Sequence, residues 1–582
     1  MEQKELLRIL DLSTYIAFDF ETTGLSPESD RIIEIAAIKF EGGVAVDRFV
    51  TLVNPERQID SFITDITGIS NAMVSDAPVE GNIVDDILDF MEDFPLVAHN
   101  ISFDINFLNN LCERYDKKIV EHQLYDTLQL SRTFLFFHPT HNLGSIAEYF
   151  NSSAVGSHRA EADTVNTGLI FQHLIHEAAS YPLEVFSKIV AVSKNHDMHN
   201  SHLYINISNY LKKEGNLKTG LVKSKLEKHL YSNIFSTTGN GSLSELTVEE
   251  VFANGGRLNQ IMDSYESRPT QQAYSDFVLK MLNADQSYCA IEAGTGLGKS
   301  MAYLFPALQK AFSKENESPV IISCHTKHLQ DQLFNKDLPL LAKALDVSLH
   351  AMVLKGRSNY ICMTRLNWLI SDAGQLLRKD EVESLFPIIV WLNVTQTGDL
   401  SECAGFWGTR PYKIAEMIQS ESGFCTTSLC SSNDGCYYGP IRQAVNDSQV
   451  IIVNHALLLS NMNNPGLLPE YEAVIIDEAH NLVDVAYDQL TLEVNMFKVN
   501  AVLDIMDPNT SSAKRWTQKI EILLDENPEL KMHYKTLQAD CETSRNNGKS
   551  FFDDLTSSIA GRINKEVPYP QHIIMNNLLE GY

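Results

Sequence analysis

Hydrophobic and polar positions divide the chain into three textures. Between residues 14 and 175, short apolar runs alternate with amphipathic stretches. Residues 15–18, 32–40 and 96–98 read as strands, and the last leads into the helical spacing of residues 103–111. Residues 124–175 read as mostly helical, and lysine-sprinkled residues 180–236 as helical up to Thr237–Ser242, TTGNGS, which reads as a flexible break. From Leu243 the pattern changes to helix, buried strand and Gly-rich turn. Apolar runs at 287–291, 319–324 and 473–476 are bounded by turns, as strands of a parallel sheet are, and the run at 387–392 is also of core-strand length. Beyond about residue 490 the chain is polar and helical.

Composition sharpens this picture. The 582 residues are 44% hydrophobic and 21% charged, an ordinary globular balance. No apolar run approaches the ~20 residues that span a bilayer, and the charged start MEQKELLRIL lacks a secretory h-region. The expectation is a cytoplasmic protein with no membrane partner. The net charge of −29 argues against wrapping nucleic acid by bulk charge alone. The acidity is uneven, with 29 acidic against 11 basic residues in positions 1–180. Without an export signal, the nine cysteines read as thiols or metal ligands rather than a disulfide framework.

The acidic block holds the first chemical constellation. In YIAFDFETTGL, Asp19 and Glu21 stand two apart at a strand end, so both carboxylates leave one face. Asp104 opens a helix in AHNISFDINFL, and Asp163 lies five residues beyond His158 in HRAEADT. Paired divalent cations clamp the attacking and leaving oxygens of a phosphodiester displacement, and such hard ions prefer carboxylate oxygen. A histidine titrates where it can take a proton at neutral pH. Filled with cations, an acidic cluster of this kind accepts a polyanion.

These residues, with Asn100, Phe103, Tyr125-Asp126-Thr127 and His141-Asn142-Leu143 between them, resemble the proofreading-type 3′–5′ exonucleases with four acidic residues and a histidine. The resemblance covers about residues 10–175. It implies a ribonuclease-H-like fold, two Mg²⁺ or Mn²⁺ ions on Asp19, Glu21, Asp104 and Asp163, and His158 as general base. It also places Thr22 and Phe103 beside the terminal nucleotide.

The second constellation is a strand, Gly-rich turn and helix in YCAIEAGTGLGKSMAYLFPAL. Ala293, Gly294, Thr295, Gly296, Leu297 and Gly298 form the loop, Lys299 reaches terminal phosphates, and Ser300 coordinates Mg²⁺. Ala293 departs from the strict glycine at the first position. VIIDEAHN supplies the partner strand with Asp477, Glu478, Ala479 and His480; Asp477 would hold the metal and Glu478 orient water. Arg268 and Gln271 look like an adenine-reading element, completing an ATP site.

Between these motifs lie Cys362, Cys425, Cys430 and Cys436. Four thiolates fit structural zinc or a 4Fe–4S cluster. The arrangement resembles the iron–sulfur helicases of the DinG and XPD type, and that resemblance favours the cluster. Cys403 is a fifth thiol that reads as an ordinary cysteine of the insertion. Exonuclease followed by such a helicase region resembles the DinG-type family of Gram-positive bacteria and implies a DNA repair or replication setting.

The fold class expected is α/β: a ribonuclease-H-like exonuclease domain and an incomplete P-loop (RecA-like) helicase domain with a cysteine-bearing insertion. The expected divisions are 1–178 exonuclease, 179–242 helical linker, 243–490 ATP-binding domain with its insertion at about 355–450, and 491–582 a partial arch-like region. No second-motor motif follows the DEAH strand, and Gly561-Arg562 does not read as an arginine finger. The function expected is therefore metal-dependent 3′–5′ exonuclease action on single-stranded DNA, the choice between DNA and RNA being left open by the sequence, beside a region that binds ATP and turns it over slowly. The alternatives are an ATP-dependent 5′–3′ helicase or a non-catalytic nucleic-acid-binding module.

Overall fold

The computed structural model describes residues 3–152, 160–214, 231–243, 245–262, 264–284, 288–313, 318–426, 430, 435–491, 494–510, 513, 517, 520, 523–524 and 527–560. The chain divides into two compact units, Met1–Leu482 and Val483–Tyr582.

The first unit holds two sheets. β1 (Thr14–Thr22), β2 (Ile32–Glu41), β3 (Val44–Leu52), β4 (Leu96–Ala98) and β5 (Leu124–Asp126) pair in the order β3-β2-β1-β4-β5. β1 to β3 form an antiparallel meander, and β4 and β5 extend it in parallel. This is the ribonuclease-H-like arrangement. β1 is built from aromatic and β-branched residues, which fit a pleated, packed surface.

Helix Ala160–Ala178 lies against β1 and β2. Gly168 makes that approach possible, since a Cβ there would stand 2.3 Å from the Phe40 ring. The Tyr15 hydroxyl donates to the Gly168 carbonyl at 2.9 Å, and the Tyr15 and Phe40 rings stack with centroids 5.1 Å apart. These contacts fix the helix that carries Asp163.

The second sheet contains β6 (Ile234–Ser236), β7 (Val320–Cys324), β8 (His350–Val353), β9 (Val450–Asn454) and β10 (Ala473–Ile476), ordered β10-β7-β9-β8-β6. β7 is wholly buried and β9 nearly so, which explains their unbroken apolar runs.

Three local expectations are corrected. Residues 288–291 lie outside every strand, and Tyr288 is almost fully exposed. A four-residue apolar run makes a strand only where a ladder receives it, and β10, the edge strand, pairs only with β7. Residues 387–392 belong to helix Lys379–Trp391 and its C-terminal end, because a short fully buried run is compatible with either period. The TTGNGS turn is held rather than loose. Thr237 N–H donates to the Leu349 carbonyl and Gly241 N–H to that of Asp346, so this segment follows β6 into the second sheet's domain.

One hydrophobic core crosses a long sequence interval. Helices Leu183–Ser193 and Ser201–Glu214 pack beside the exonuclease sheet, and the insertion helices Met363–Leu376, Lys379–Trp391, Ala404–Trp407 and Tyr412–Ile418 join the same core. Cys403 is completely buried there. In the second unit, helices Met496–Met506 and Pro528–Ile559 pack together. Arg545 reaches the Asp504 carboxylate at 3.0 Å and the Asn500 amide oxygen at 3.1 Å. Among the described residues, no helix is long and apolar enough to cross a membrane.

Candidate active sites

The carboxylate cleft lies at the end of β1. Strand alternation turns Phe20 into the core and leaves Asp19 and Glu21 half-buried on the opposite face. Asp104 sits in the first turn of helix Ile101–Arg114, is 2% exposed, and its Oδ1 accepts the Phe20 N–H at 3.0 Å. That bond locks the helix start to the strand carrying the first two carboxylates. Asn100 precedes the helix in a left-handed conformation and donates its N–H to Asp126 Oδ1 at 3.1 Å. Asp163 enters from the first turn of helix Ala160–Ala178.

These groups repel one another in a poorly hydrated place. Burial first, then the charges of Asp163 and Glu34, push the Asp19 carboxyl upward. Burial, then Asp19, Glu34 and Asp163, push Glu21 up to about 8. Asp104 is driven well above the carboxylate range by burial and by Asp19. Among the described residues, no three His, Cys, Asp or Glu side chains close into a metal-holding group. The donors fit divalent cations in kind, being all hard carboxylate oxygens.

His158 lies outside the described residues. Thr22 is buried, its hydroxyl donating to the Gly24 carbonyl at 2.6 Å, and half-buried Phe103 packs on Phe107 with centroids 5.0 Å apart.

Sequence reading missed Glu34. It pairs directly across from Glu21 in the β1–β2 ladder and is 2% exposed. Its Oε2 accepts the Ala160 N–H at 3.3 Å, tying the start of the Asp163 helix to the sheet. The available signal was a lone charge inside the apolar run IIEIAAI.

The glycine-rich loop runs into helix Lys299–Ala311, with Gly296 at φ +77° and Gly298 at φ +82°, conformations that glycine adopts without strain. Ala293, Gly294, Thr295 and Leu297 complete the turn before it. Lys299 Nζ lies 3.1 Å from Glu478 Oε1, and the Tyr303 hydroxyl donates to Asp477 Oδ2 at 2.9 Å. Ser300 lies close to Tyr303 and Asp337. Asp477 follows β10, and its N–H donates to the Ser323 carbonyl at 2.8 Å. Ala479 and His480 begin the following turn, where His480 approaches Glu478 at 3.4 Å. Arg268 donates to the Gly296 carbonyl, and Gln271 Nε2 to that of Gly298 at 2.9 Å. Both predicted nucleotide-reading side chains thus contact the loop itself.

The four cysteines of the insertion lie within electrostatic reach of one another, without closing into a metal-holding group among the described residues. The Cys430 thiol is raised by burial and then by the nearby Cys436, Cys425 and Cys362. The Gly439 N–H donates to Cys436 Sγ at 3.4 Å.

Comparison with known proteins follows the same division. Residues 16–171 match the exonuclease family RNase_T, residues 268–381 the DEAD/DEAH box helicase family, and residues 406–499 the DEAD_2 family. The chain therefore combines an exonuclease domain with DEAD-type helicase segments.

Its relatives include the 3′-5′ exonuclease DinG of Bacillus subtilis, 28% identical over 487 residues, or 82% of this chain and 50% of that protein. The corresponding Staphylococcus epidermidis protein is 27% identical over 504 residues, 86% of this chain and 53% of that protein. The chain spans about half the length of the curated relatives it matches. Among solved structures, exonuclease X in complex with 5′ overhanging duplex DNA is 25% identical, with a TM-score of 0.23 over 28% of this chain and 91% of that one. The nuclease domain of 3′hExo, a DEDDh family member bound to rAMP, is 20% identical, with a TM-score of 0.26 over 28% of this chain and 92% of that one.

Proposed function

We propose that this chain is a metal-dependent 3′–5′ exonuclease that releases nucleotides from single-stranded DNA. The observation that carries this is the mutual electrostatic strain of Asp19, Glu21, Asp104 and Asp163. Buried carboxylates destabilise one another at neutral pH unless cations enter between them. Asp19, Glu21, Asp104 and Asp163 would hold two Mg²⁺ or Mn²⁺ ions, which supply Lewis-acid stabilisation of the charge that builds up on the phosphate. Glu34 holds the Asp163 helix in register, and Phe20 N–H keeps one Asp104 oxygen turned inward. Thr22 and Phe103 line the approach of the terminal nucleotide, and His158 takes the proton of the attacking water.

The helicase region binds ATP at Lys299 and Ser300, with Asp477 as the Mg²⁺ partner. Cys362, Cys425, Cys430 and Cys436 hold a 4Fe–4S cluster, supported by the electrostatic proximity of their thiols. The test is degradation of 5′-labelled single-stranded DNA with Mg²⁺ or Mn²⁺. A ladder shortening from the 3′ end, abolished by EDTA and indifferent to ATP, is expected. An intact strand in the presence of metal would contradict the reading.

A further inference from the structure

A cavity of about 710 Å³ opens on the seam between the exonuclease domain and the cysteine-bearing insertion. His99, Arg132, His141 and Asn142 line it from the exonuclease side, and Ser401 and Trp407 from the insertion. None of the four cleft carboxylates contributes to it.

Its lining contains polar groups left without partners. His141 is 8% exposed, and neither ring nitrogen has a hydrogen-bond partner among the described residues, although the His138 backbone lies nearby. Arg132 Nε is likewise buried without a partner. Unsatisfied buried groups of this kind cost stability unless a ligand or water fills them. Their chemistry is specific. Arg132 supplies a guanidinium, opposed at longer range by Asp126 and Glu383. Burial, then Arg132, keeps His141 neutral, with its pKa down at about 3, so it offers one donor and one acceptor. His99 is fixed by its contacts with the Thr127 hydroxyl and the His141 carbonyl, both at 2.9 Å. Trp407 spends its indole N–H on the Leu400 carbonyl at 2.8 Å and leaves its ring 37% exposed.

At the rim, Ser401 accepts from Lys327 at 2.9 Å and from Lys355 at 3.2 Å; the latter is paired with Asp399. A guanidinium, a neutral imidazole and an open indole face are complementary to a phosphate, a base edge and a base plane. The volume falls within the range of small-ligand pockets.

We propose that this seam cavity binds one nucleoside monophosphate unit, held as a segment of the single strand whose 3′ end occupies the carboxylate cleft. This rests on the exonuclease reading. The seam then lets the insertion grip the strand being degraded.

The test measures binding of 5′-fluorescent oligodeoxynucleotides of about 4 and about 12 nucleotides to the full chain in an Asp19→Ala background, with Arg132→Gln or Trp407→Ala added. The longer strand should bind about tenfold more weakly to either added variant, while the shorter one binds alike. Trp407→Phe, which keeps a ring, should retain most of the affinity. Thermal melting of each variant separates a local effect from unfolding.

Free dAMP is titrated in parallel. Loss of dAMP binding without a change in the length profile would show that the cavity takes the free nucleotide instead of the strand. Equal affinities of all folded variants for both probes would overturn the proposal. The exonuclease reading fails separately, by absence of a 3′ ladder from the unmodified chain with Mn²⁺, and the binding comparison does not depend on that result.

Discussion

The carboxylate cleft and the glycine-rich loop handle charge in opposite ways. In the cleft, Asp19, Glu21 and Asp104 face like charges and are pushed toward protonation. In the loop region, opposite charges meet: Lys299 pairs with Glu478, while Arg268 and Gln271 occupy loop carbonyls. The cleft gains by admitting cations. The loop region must break internal contacts before a triphosphate settles.

The largest effect expected is from Asp19→Ala. Losing a ligand to both the charge balance and the cations removes several kcal/mol of transition-state stabilisation, so cleavage should fall by about a thousandfold or more. Nucleotide binding, read by fluorescent ATP analogues, should stay unchanged. Coupled loss of both would break the contrast between the sites.

Glu34→Gln acts one step back. It keeps the shape but weakens the tie to Ala160, and a supporting residue of this kind is worth about 10–100-fold. The expected loss is in kcat and metal affinity, with the KM for the strand preserved. Titration with Mn²⁺ during cleavage distinguishes this from simple unfolding.

Glu478→Gln sharpens the other half of the comparison. It frees Lys299 from a half-buried ion pair of roughly 0.2–1 kcal/mol, so nucleotide affinity should rise by up to about fivefold. Calorimetric titration with ATP checks this.

The smallest effect concerns pH at the seam. Burial raises Glu383 to about 7, with a further push from Asp126 and an opposing one from Lys379. A carboxyl whose folded pKa is raised contributes stability below its unfolded pKa near 4.5 and loses it as pH rises through about 7. Thermal stability should therefore decline between pH 4.5 and 7. Glu383→Gln should flatten that slope in a melting series.

The cleft's carboxylates could be placed from sequence because they sit at ends of predictable elements. Asp19 and Glu21 follow an apolar strand, and Asp104 begins an amphipathic helix, so local periodicity places them. Glu34 was passed over as one charge among isoleucines, although burying it requires a partner. β3 escaped notice because its residues are mostly exposed, leaving no core-facing alternation to read. Residues 387–391 of the 387–392 run are buried all round and so carry no period that separates strand from helix.

The seam was beyond sequence reading for a different reason. It joins Arg132 and His141 to Trp407 across more than 260 residues, through packing that no local pattern encodes. The nucleotide loop's motif was plain, whereas its ion pair depends on β10 delivering Glu478 to Lys299.

The most direct test of the central claim is calorimetric titration of the full chain with Mn²⁺, buffered at two pH values, beside Asp19→Ala. The account predicts two cations bound at the cleft, proton release on binding, tighter association at the higher pH, and loss of this signal in the variant. Unchanged Mn²⁺ binding in Asp19→Ala, or binding without proton release, would contradict it.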